Sequence, residues 1–335
     1  MTTQTMIPDR HGTLYISEQT ELGTAGTLAA SHALRASQIE WTQRGDPLVD
    51  VLDTDSPYPG GVAPVIGSTG WGLSFRVDAQ RVTEWRPGGT DIPLLTLLRS
   101  LVATVEEDSG EVSIAPPTAF TLGYTATAIR PCTIRYVEDG GNTYTAVDCI
   151  CTYTLEMSAG GRIQWVFAVH GVWNDPVSTS FTTPPEFTGF RAPLTFRGSE
   201  LSATPAGGSP LDVLYCSSLQ WDPGINLSDV ESGLVPDALA RSFGWLTEYA
   251  RLSLEVGAQA ESALPVWAAY RGRTITDTEI ELPGGIKLAA PYGRLRPPER
   301  VSRYEARGYD LEIDCVPSDA GDALYALTWE EEGAS

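Results

Sequence analysis

The side chains best suited to chemistry in this chain are three histidines. His11, His32 and His170 have no histidine or cysteine two or four residues away, the spacing that brings two ligands onto one metal ion. The sequence also contains no G-x-S-x-G nucleophile elbow, no Walker A lysine and no G-x-G-x-x-G turn between a strand and a helix. We therefore expect neither enzyme activity nor a cofactor.

Carboxylates are numerous, with 43 Asp and Glu in 335 residues. Two acids in one cleft suffice for glycoside hydrolysis, so that activity stays open as an alternative. Asp50, Asp53 and Asp55 have the spacing of oxygen ligands for Ca²⁺, but the segment lacks the glycine and the distal glutamate of an EF-hand loop. We interpret it as a solvated loop.

Composition narrows the class of protein. The net charge of −21 argues against surfaces that bind nucleic acid or anionic membranes. The five cysteines are an odd number without a CxxC pair, which favours a reducing compartment over a disulfide framework. No secretory signal and no apolar run of about 20 residues is present, so we expect cytoplasmic synthesis and no membrane contact. The 33 Gly and 24 Pro, with 42% hydrophobic residues, indicate a folded chain of many short strands.

Alternating apolar residues predict several strands. Leu73, Phe75 and Val77 alternate with polar residues, as in a strand with one buried face. The turn sequence DGGN at 139–142 predicts a hairpin leading into a long strand, on which Cys149 and Cys151 share the buried face as reduced thiols.

One helix is predicted after Thr90 or Asp91, with Pro93 in its first turn and an apolar stripe that ends at Val102. A weaker counterpart covers roughly 260–270, although Pro265 falls inside it. Two long segments, 42–70 and 222–244, have no periodicity. We interpret them as loops that order against another subunit, the alternative being disordered surface excursions.

The chain resembles itself at an offset of about 180 residues. SQIEW at 37–41 aligns with SSLQW at 217–221, and 73–80 aligns with 252–259. A shorter offset relates YTLE at 153–156 to YDLE at 309–312. We interpret the chain as a duplicated domain divided into 1–182 and 183–335, the alternative being chance similarity between short β patterns.

The order of these segments resembles the major tail tube proteins of long-tailed bacteriophages, in a longer, duplicated form. The resemblance covers about 14–329 and is carried by SQIEW, LSFRVDAQ, TIRYVEDGGNTYTAVDCICTYTLEM and GGRIQWVFAVHGVW, then by SSLQWDPGI, LTEYARLSLEV, LPGGIKLAAP and GYDLEID. It implies a mainly β fold of two tandem β-sandwich or half-barrel domains. Each domain would have one flanking helix and would contribute strands to an inner β-barrel.

The same resemblance implies a structural virion protein without catalysis. Three duplicated chains would form a pseudo-hexameric ring, and stacked rings would form a tail tube through which DNA passes without specific binding. The implied partners are further copies of the chain and the tail terminator, tape-measure and distal tail proteins. The implied location is the virion tail, after synthesis in the host cytoplasm.

Strand alternation then selects candidate residues for the inner wall of such a tube: Asp78, Asp148, Glu156 and Glu255. Carboxylates repel phosphates within a Debye length of about 10 Å, which lets DNA slide. Arg76, on the same predicted strand face as Asp78, departs from a purely acidic wall. The candidates for contacts between stacked rings are in the long segments: Asp50, Asp53, Asp55, Asp222, Asp229 and Glu231.

Two other functions stay open. One is a carbohydrate-binding or carbohydrate-cleaving β-sandwich that uses exposed tryptophans and paired acids; the other is a baseplate or capsid decoration protein. Against the carbohydrate function, the strand patterns predict that Trp41, Trp165 and Trp221 lie in the core.

Overall fold

The fold is mainly β and antiparallel. The computed structural model describes residues 12–44, 48–49, 65–66, 70–118, 122–123, 128–138, 142–178, 185–187, 190–197, 200–205, 216–230, 241–246, 249–257, 265–272, 275–303, 306–317 and 324–331. Its α-helices are α1 (Pro93–Arg99) and α2 (Val266–Gly272). No helix in these ranges is long and apolar enough to cross a membrane.

The strands are, in chain order, β1 (Gly12–Glu18), β2 (Ala33–Leu34), β3 (Ser37–Arg44), β4 (Leu48–Val49), β5 (Val65–Ile66), β6 (Gly70–Asp78), β7 (Gln80–Val82), β8 (Thr104–Asp108), β9 (Glu111–Ala115), β10 (Cys132–Glu138), β11 (Asn142–Ser158), β12 (Ile163–Ser178), β13 (Phe190–Pro193), β14 (Glu200–Pro205), β15 (Cys216–Asp222), β16 (Ile225–Val230), β17 (Arg241–Leu246), β18 (Arg251–Gly257), β19 (Ile275–Leu282), β20 (Ile286–Leu295), β21 (Glu299–Arg303), β22 (Ala306–Cys315) and β23 (Ala326–Glu330).

Eight of these strands form one continuous antiparallel row. Its order is β3–β6–β12–β11–β15–β18–β22–β21. The β11–β15 pair joins strands from the two sides of the expected boundary at 182/183. The division into two domains stays a prediction, and the two halves share this sheet.

A second set of strands covers the apolar side of the row. Its order is β14–β19–β20–β23–β9–β8, and the end of β20 also pairs with β22. The two sets share a core in which Trp165 of β12 stacks on Trp329 of β23, with ring centroids 5.2 Å apart. Over the described residues this sheet stays open and no closed barrel forms.

The internal repeat is visible in the strand pairing. Trp41 of β3 lies directly opposite Leu73 of β6, and Trp221 of β15 lies directly opposite Leu252 of β18. Both strand pairs, β3–β6 and β15–β18, have a register shift near the start of β3 and of β15. The third sequence match does not follow this pattern. Tyr153 lies on β11, two strands away from β6, whereas Tyr309 lies on β22, directly beside β18.

A helix lies at each predicted position, although residues 260–264 of the second prediction are outside the described residues. In α1, Ile92 rather than Thr90 or Asp91 is the N-cap, and all seven residues are buried, not only a stripe. Helix α2 begins at Val266, and Ala269 donates its N–H to the carbonyl of Pro265. Pro265 therefore precedes the helix, where a missing N–H costs nothing.

The long segments contain strands, although their lack of periodicity predicted loops. In the first, β4 pairs with β5, and in the second, β16 pairs with β17 as a hairpin from Ile225↔Leu246 to Val230↔Arg241. The second hairpin packs on β11 and β12, with Ile225 in a small apolar cluster beside Ile150. Burial of Ile225 stabilises this hairpin, although its sequence shows no clear alternation.

Candidate functional site

The candidate site is the outward side of the eight-strand row, which we call the polar face. Two lines of directly opposed residues cross it. The first line is Asp78, Gln164, Glu156, Gln220, Ser253 and Glu312. The second line is Ser158, Ser218, Glu255, Asp310 and Glu299. Residues directly opposite each other share one side of a sheet, so strands from both halves of the chain build a single polar surface.

Strand alternation positions these side chains. On β6 the residues Leu73, Phe75 and Val77 are buried, which turns Arg76 and Asp78 outward, as predicted. The equivalent strand β18 buries its leucines and Val256 in the same way and turns Glu255 outward. The large apolar residues on the inward side fix the orientation, because a shift by one residue would bury the charges.

The polar face contains a shallow depression of about 510 Å³. Four acids contribute to its lining, Glu156, Glu255, Asp310 and Glu312, together with the arginines Arg76 and Arg162. The lining therefore has an excess of two negative charges. Three of the four predicted wall residues, Asp78, Glu156 and Glu255, lie on this face.

Arginines partly neutralise these acids. Arg76 Nη1 lies 2.6 Å from Glu156 Oε2, and Arg162 Nη1 lies 2.6 Å from Asp78 Oδ2. Gln164 Nε2 donates a second hydrogen bond of 2.8 Å to Asp78 Oδ1. Because these groups are partly exposed, each pair contributes at most about 1 kcal/mol. The face is thus moderately acidic and ordered by ion pairs, and Arg76 belongs to it.

Asp148 does not lie on the polar face, so the alternation argument was wrong for this residue. It is 8% exposed and sits in a β-bulge with a φ of 52°, where two residues of β11 face Gly171 of β12. Its carboxylate accepts hydrogen bonds from the N–H of Gly23 at 2.8 Å and from the amide of Gln19. Asp148 therefore fixes the segment after β1 instead of facing outward.

The predicted ring-contact residues are only partly within the described residues. Asp222 ends β15, is exposed, and lies opposite Arg251, so it faces the same side as the polar face. Asp229 lies within β16, but its side chain is outside the described residues, as are Asp50, Asp53, Asp55 and Glu231.

A cluster of four charges lies beside α1, which the sequence did not predict. Arg99, 7% exposed, binds Asp91 Oδ2 at 2.5 Å and Glu107 Oε1 at 2.6 Å. Arg86 binds both of the same acids from the solvent side. Burial is the largest single influence and acts to raise the pKa of Asp91 and Glu107, but the hydrogen bonds and positive charges of Arg99 and Arg86 together outweigh it and hold both pKa values below their ordinary range. No periodicity signals this cluster, because a loop, a helix and a strand each contribute to it.

Burial disfavours the nucleophilic thiolate form of the core cysteines. Burial raises the pKa of Cys132 to about 12 and places those of Cys149 and Cys151 well above their ordinary value. His170 lies in the middle of β12 and is buried. Within the described ranges, no three His, Cys, Asp or Glu side chains converge as a metal site would require.

Of the three tryptophans expected in the core, Trp165 and Trp221 are there and are 0% exposed. Trp41 is only half-buried and packs against the core from its edge, with its ring edge-on to Trp71 at 5.0 Å. Among the large hydrophobic side chains that the structure describes, only Tyr249 is exposed. These residues therefore offer no exposed aromatic platform for a sugar.

The chain matches no family model, and no curated protein is similar enough to count as a relative.

Proposed function

We propose that this chain is the structural subunit of a hollow tube, and that the polar face lines the bore. The observation that carries the proposal is the continuity of this face over strands from both halves of the chain. Three copies per ring, stacked along an axis, would form the tail tube of a long-tailed bacteriophage virion. The resemblance in segment order and the acidic composition support the same assignment.

The open sheet supplies strands for such a ring. Within the described ranges β3 pairs only with β6 and β21 pairs only with β22, so the row ends in two free edges. Free edges are aggregation-prone unless they are covered or paired. Three copies with eight strands each exceed the roughly 16 to 18 strands at which closed barrels enclose an aqueous channel. A ring of this size therefore has room for a wide bore.

The electrostatics suit a conduit for DNA. Duplex DNA carries one negative charge per about 1.7 Å, and a basic wall would retain it by releasing counterions. The depression on the polar face has four acids and two arginines, so its small negative net charge would repel phosphates only weakly. Ion pairs such as Arg76–Glu156 keep the arginines engaged. DNA passage without binding is the expected behaviour.

Negative-stain microscopy of the purified protein at high concentration tests the assignment. The expected result is rings with threefold symmetry that stack into tubes. Isolated monomers at every concentration would overturn the proposal. A single closed assembly without tubes would instead favour a baseplate or capsid decoration protein.

A charge-reversal experiment tests which surface lines the bore. Glu156→Lys together with Glu255→Lys makes the polar face basic, and we expect the resulting tubes to retain double-stranded DNA that wild-type tubes release. The matched control is Glu106→Lys with Asp108→Lys, two exposed acids on β8. DNA retained inside the control tubes but not inside the polar-face variant would contradict the assignment of the bore.

A further inference from the structure

We propose that β3 of one copy pairs antiparallel with β21 of a second copy, in the register that the β11–β15 junction already displays within one chain. This inference rests on the proposed function, because the contact would close the ring. Beyond the proposed function, it specifies which two strand edges meet and which residues lie opposite each other. The partner is therefore a second copy of this chain.

The β11–β15 junction is the template. There Leu155 lies opposite Trp221, and Glu156 lies opposite Gln220. Strand β15 has the same place in the second half that β3 has in the first, because Trp221 lies opposite Leu252 and Trp41 lies opposite Leu73. In the second half this outer strand is covered by β11. In the first half β3 has no such neighbour among the described strands.

Strand β21 occupies the place that corresponds to β11. Across the first half, Val77 lies opposite Trp165, which lies opposite Leu155. Across the second half, the equivalent Val256 lies opposite Tyr309, which lies opposite Arg300.

Arg300 thus corresponds to Leu155, and Val301 corresponds to Glu156. Transferring the junction to the contact between copies places Arg300 opposite Trp41 and Val301 opposite Glu40.

The free edge of β3 has space for an incoming strand. A groove of about 720 Å³ runs beside it, lined by residues 36–40 with Gly12 and Tyr136. Trp41 is only half-buried, whereas the equivalent Trp221 is 0% exposed. A strand in the position of β21 would cover Trp41 as β11 covers Trp221.

The side chains that would meet are compatible. Arg300 is exposed and its guanidinium already lies 5.6 Å above the ring of Trp267, on the inward side of the sheet. In the proposed register it would also reach Trp41, and arginine stacks favourably on tryptophan. On the outward side, the exposed Glu40 would face the partly exposed Val301.

Two substitutions at one position test the register by charge. Val301→Glu would place two carboxylates directly opposite each other, whereas Val301→Lys would place a cation opposite Glu40. We expect the association constant, measured by sedimentation velocity, to differ by about fivefold per interface between the two variants. Glu40→Lys combined with Val301→Glu should restore association. Equal association of Val301→Glu and Val301→Lys would overturn the register.

A cysteine pair tests the same contact covalently. In a Cys216→Ser background, which removes the only partly exposed thiol, Glu40→Cys with Val301→Cys should form covalent dimers and trimers under mild oxidation. Glu40→Cys with Ser302→Cys is the matched control, because these side chains point to opposite sides of the sheet. Equal cross-linking of both pairs, or none with the first pair, would overturn the proposal.

The outcomes separate this inference from the proposed function. Cross-linked trimers that never stack would support the edge pairing and contradict the tube. Tubes that form without the 40–301 cross-link would contradict the register and leave the tube intact.

Discussion

The two halves of the chain place the same pair of strands in different surroundings. Trp221 lies between β18 and β11, where it is fully buried and meets the ring of Tyr325 edge-on at 4.9 Å. Trp41 has the same register on β6, but it lies on a free edge and is half-buried. One strand position in the repeat is therefore completed within the chain, and the other is left open.

Truncation of these two tryptophans should lower the stability of the protein more than any other change considered below. Trp221→Ala would remove a fully buried ring and the hydrogen bond of 3.4 Å from its Nε1 to the Tyr153 hydroxyl, so we expect a loss of about 3–5 kcal/mol. Trp41→Ala should cost about half of that in the monomer, because less area is removed from water when the ring is half-buried. Urea unfolding of both variants at low protein concentration measures the difference.

The same pair of variants probes the free edge. Under conditions of assembly, Trp41→Ala should lose self-association as well as stability, whereas Trp221→Ala should lose only stability. Equal costs in the monomer would show that the two environments do not differ energetically.

The helices of the two halves differ in the opposite direction, because here the first half is the more deeply buried. All residues of α1 are buried and its last residue, Arg99, is held by Asp91 and Glu107, whereas α2 buries only Val266 and Ala269. Arg99→Met keeps the length of the side chain but leaves the two acids with Arg86 alone. We expect a loss of about 3 kcal/mol, because breaking a buried ion pair leaves an uncompensated charge. Arg86→Met, at an exposed position, is the control and should cost less than about 1 kcal/mol.

The contribution of Asp91 and Glu107 to stability should also depend on pH. Because the folded protein lowers the pKa values of Asp91 and Glu107, their contribution to stability is complete above their ordinary values of 3.8 and 4.5. It is lost as the pH falls below those values and through the lower pKa values of the folded state. The free energy of unfolding of Arg99→Met should therefore fall less between pH 6 and pH 3 than that of the wild type. A parallel decrease in both proteins would show that the cluster has no role.

Side-chain alternation predicted the strands best, and it failed where the backbone leaves the regular pleat. Leu73, Phe75 and Val77 are buried as expected because a regular strand alternates strictly. Asp148 was assigned to the wrong surface because the bulge beside it adds a residue to β11. The residue opposite the bulge is Gly171, and a larger residue would not fit there because a Cβ would lie 2.6 Å from Cys149 Sγ. This glycine is the one feature of the local sequence that marks the bulge.

The candidate site was predictable only within single strands. Asp78, Glu156 and Glu255 were selected correctly as outward residues, but their arrangement on one face depends on the β11–β15 pairing. That pairing brings together residues more than sixty positions apart, such as Glu156 and Gln220. The charge cluster around Arg99 was missed for a similar reason, since a buried arginine inside a leucine-rich helix gives no periodic signal.

The smallest change in stability should come from a charge substitution on the polar face, at a position where the two halves have side chains of opposite charge. Arg76 and Glu255 occupy equivalent positions on β6 and β18, and Arg76 forms the ion pair with Glu156 at 2.6 Å. Arg76→Glu would give the first half the charge of the second and place two carboxylates side by side. We expect a loss below about 1 kcal/mol in low salt that becomes smaller at high salt, because the groups are partly exposed. Exchanging both charges, with Arg76→Glu and Glu156→Arg, should restore stability, and urea midpoints at two salt concentrations measure this. A loss that is independent of salt and not restored by the exchange would mean that packing of the Arg76 stem, not its charge, holds this part of the face.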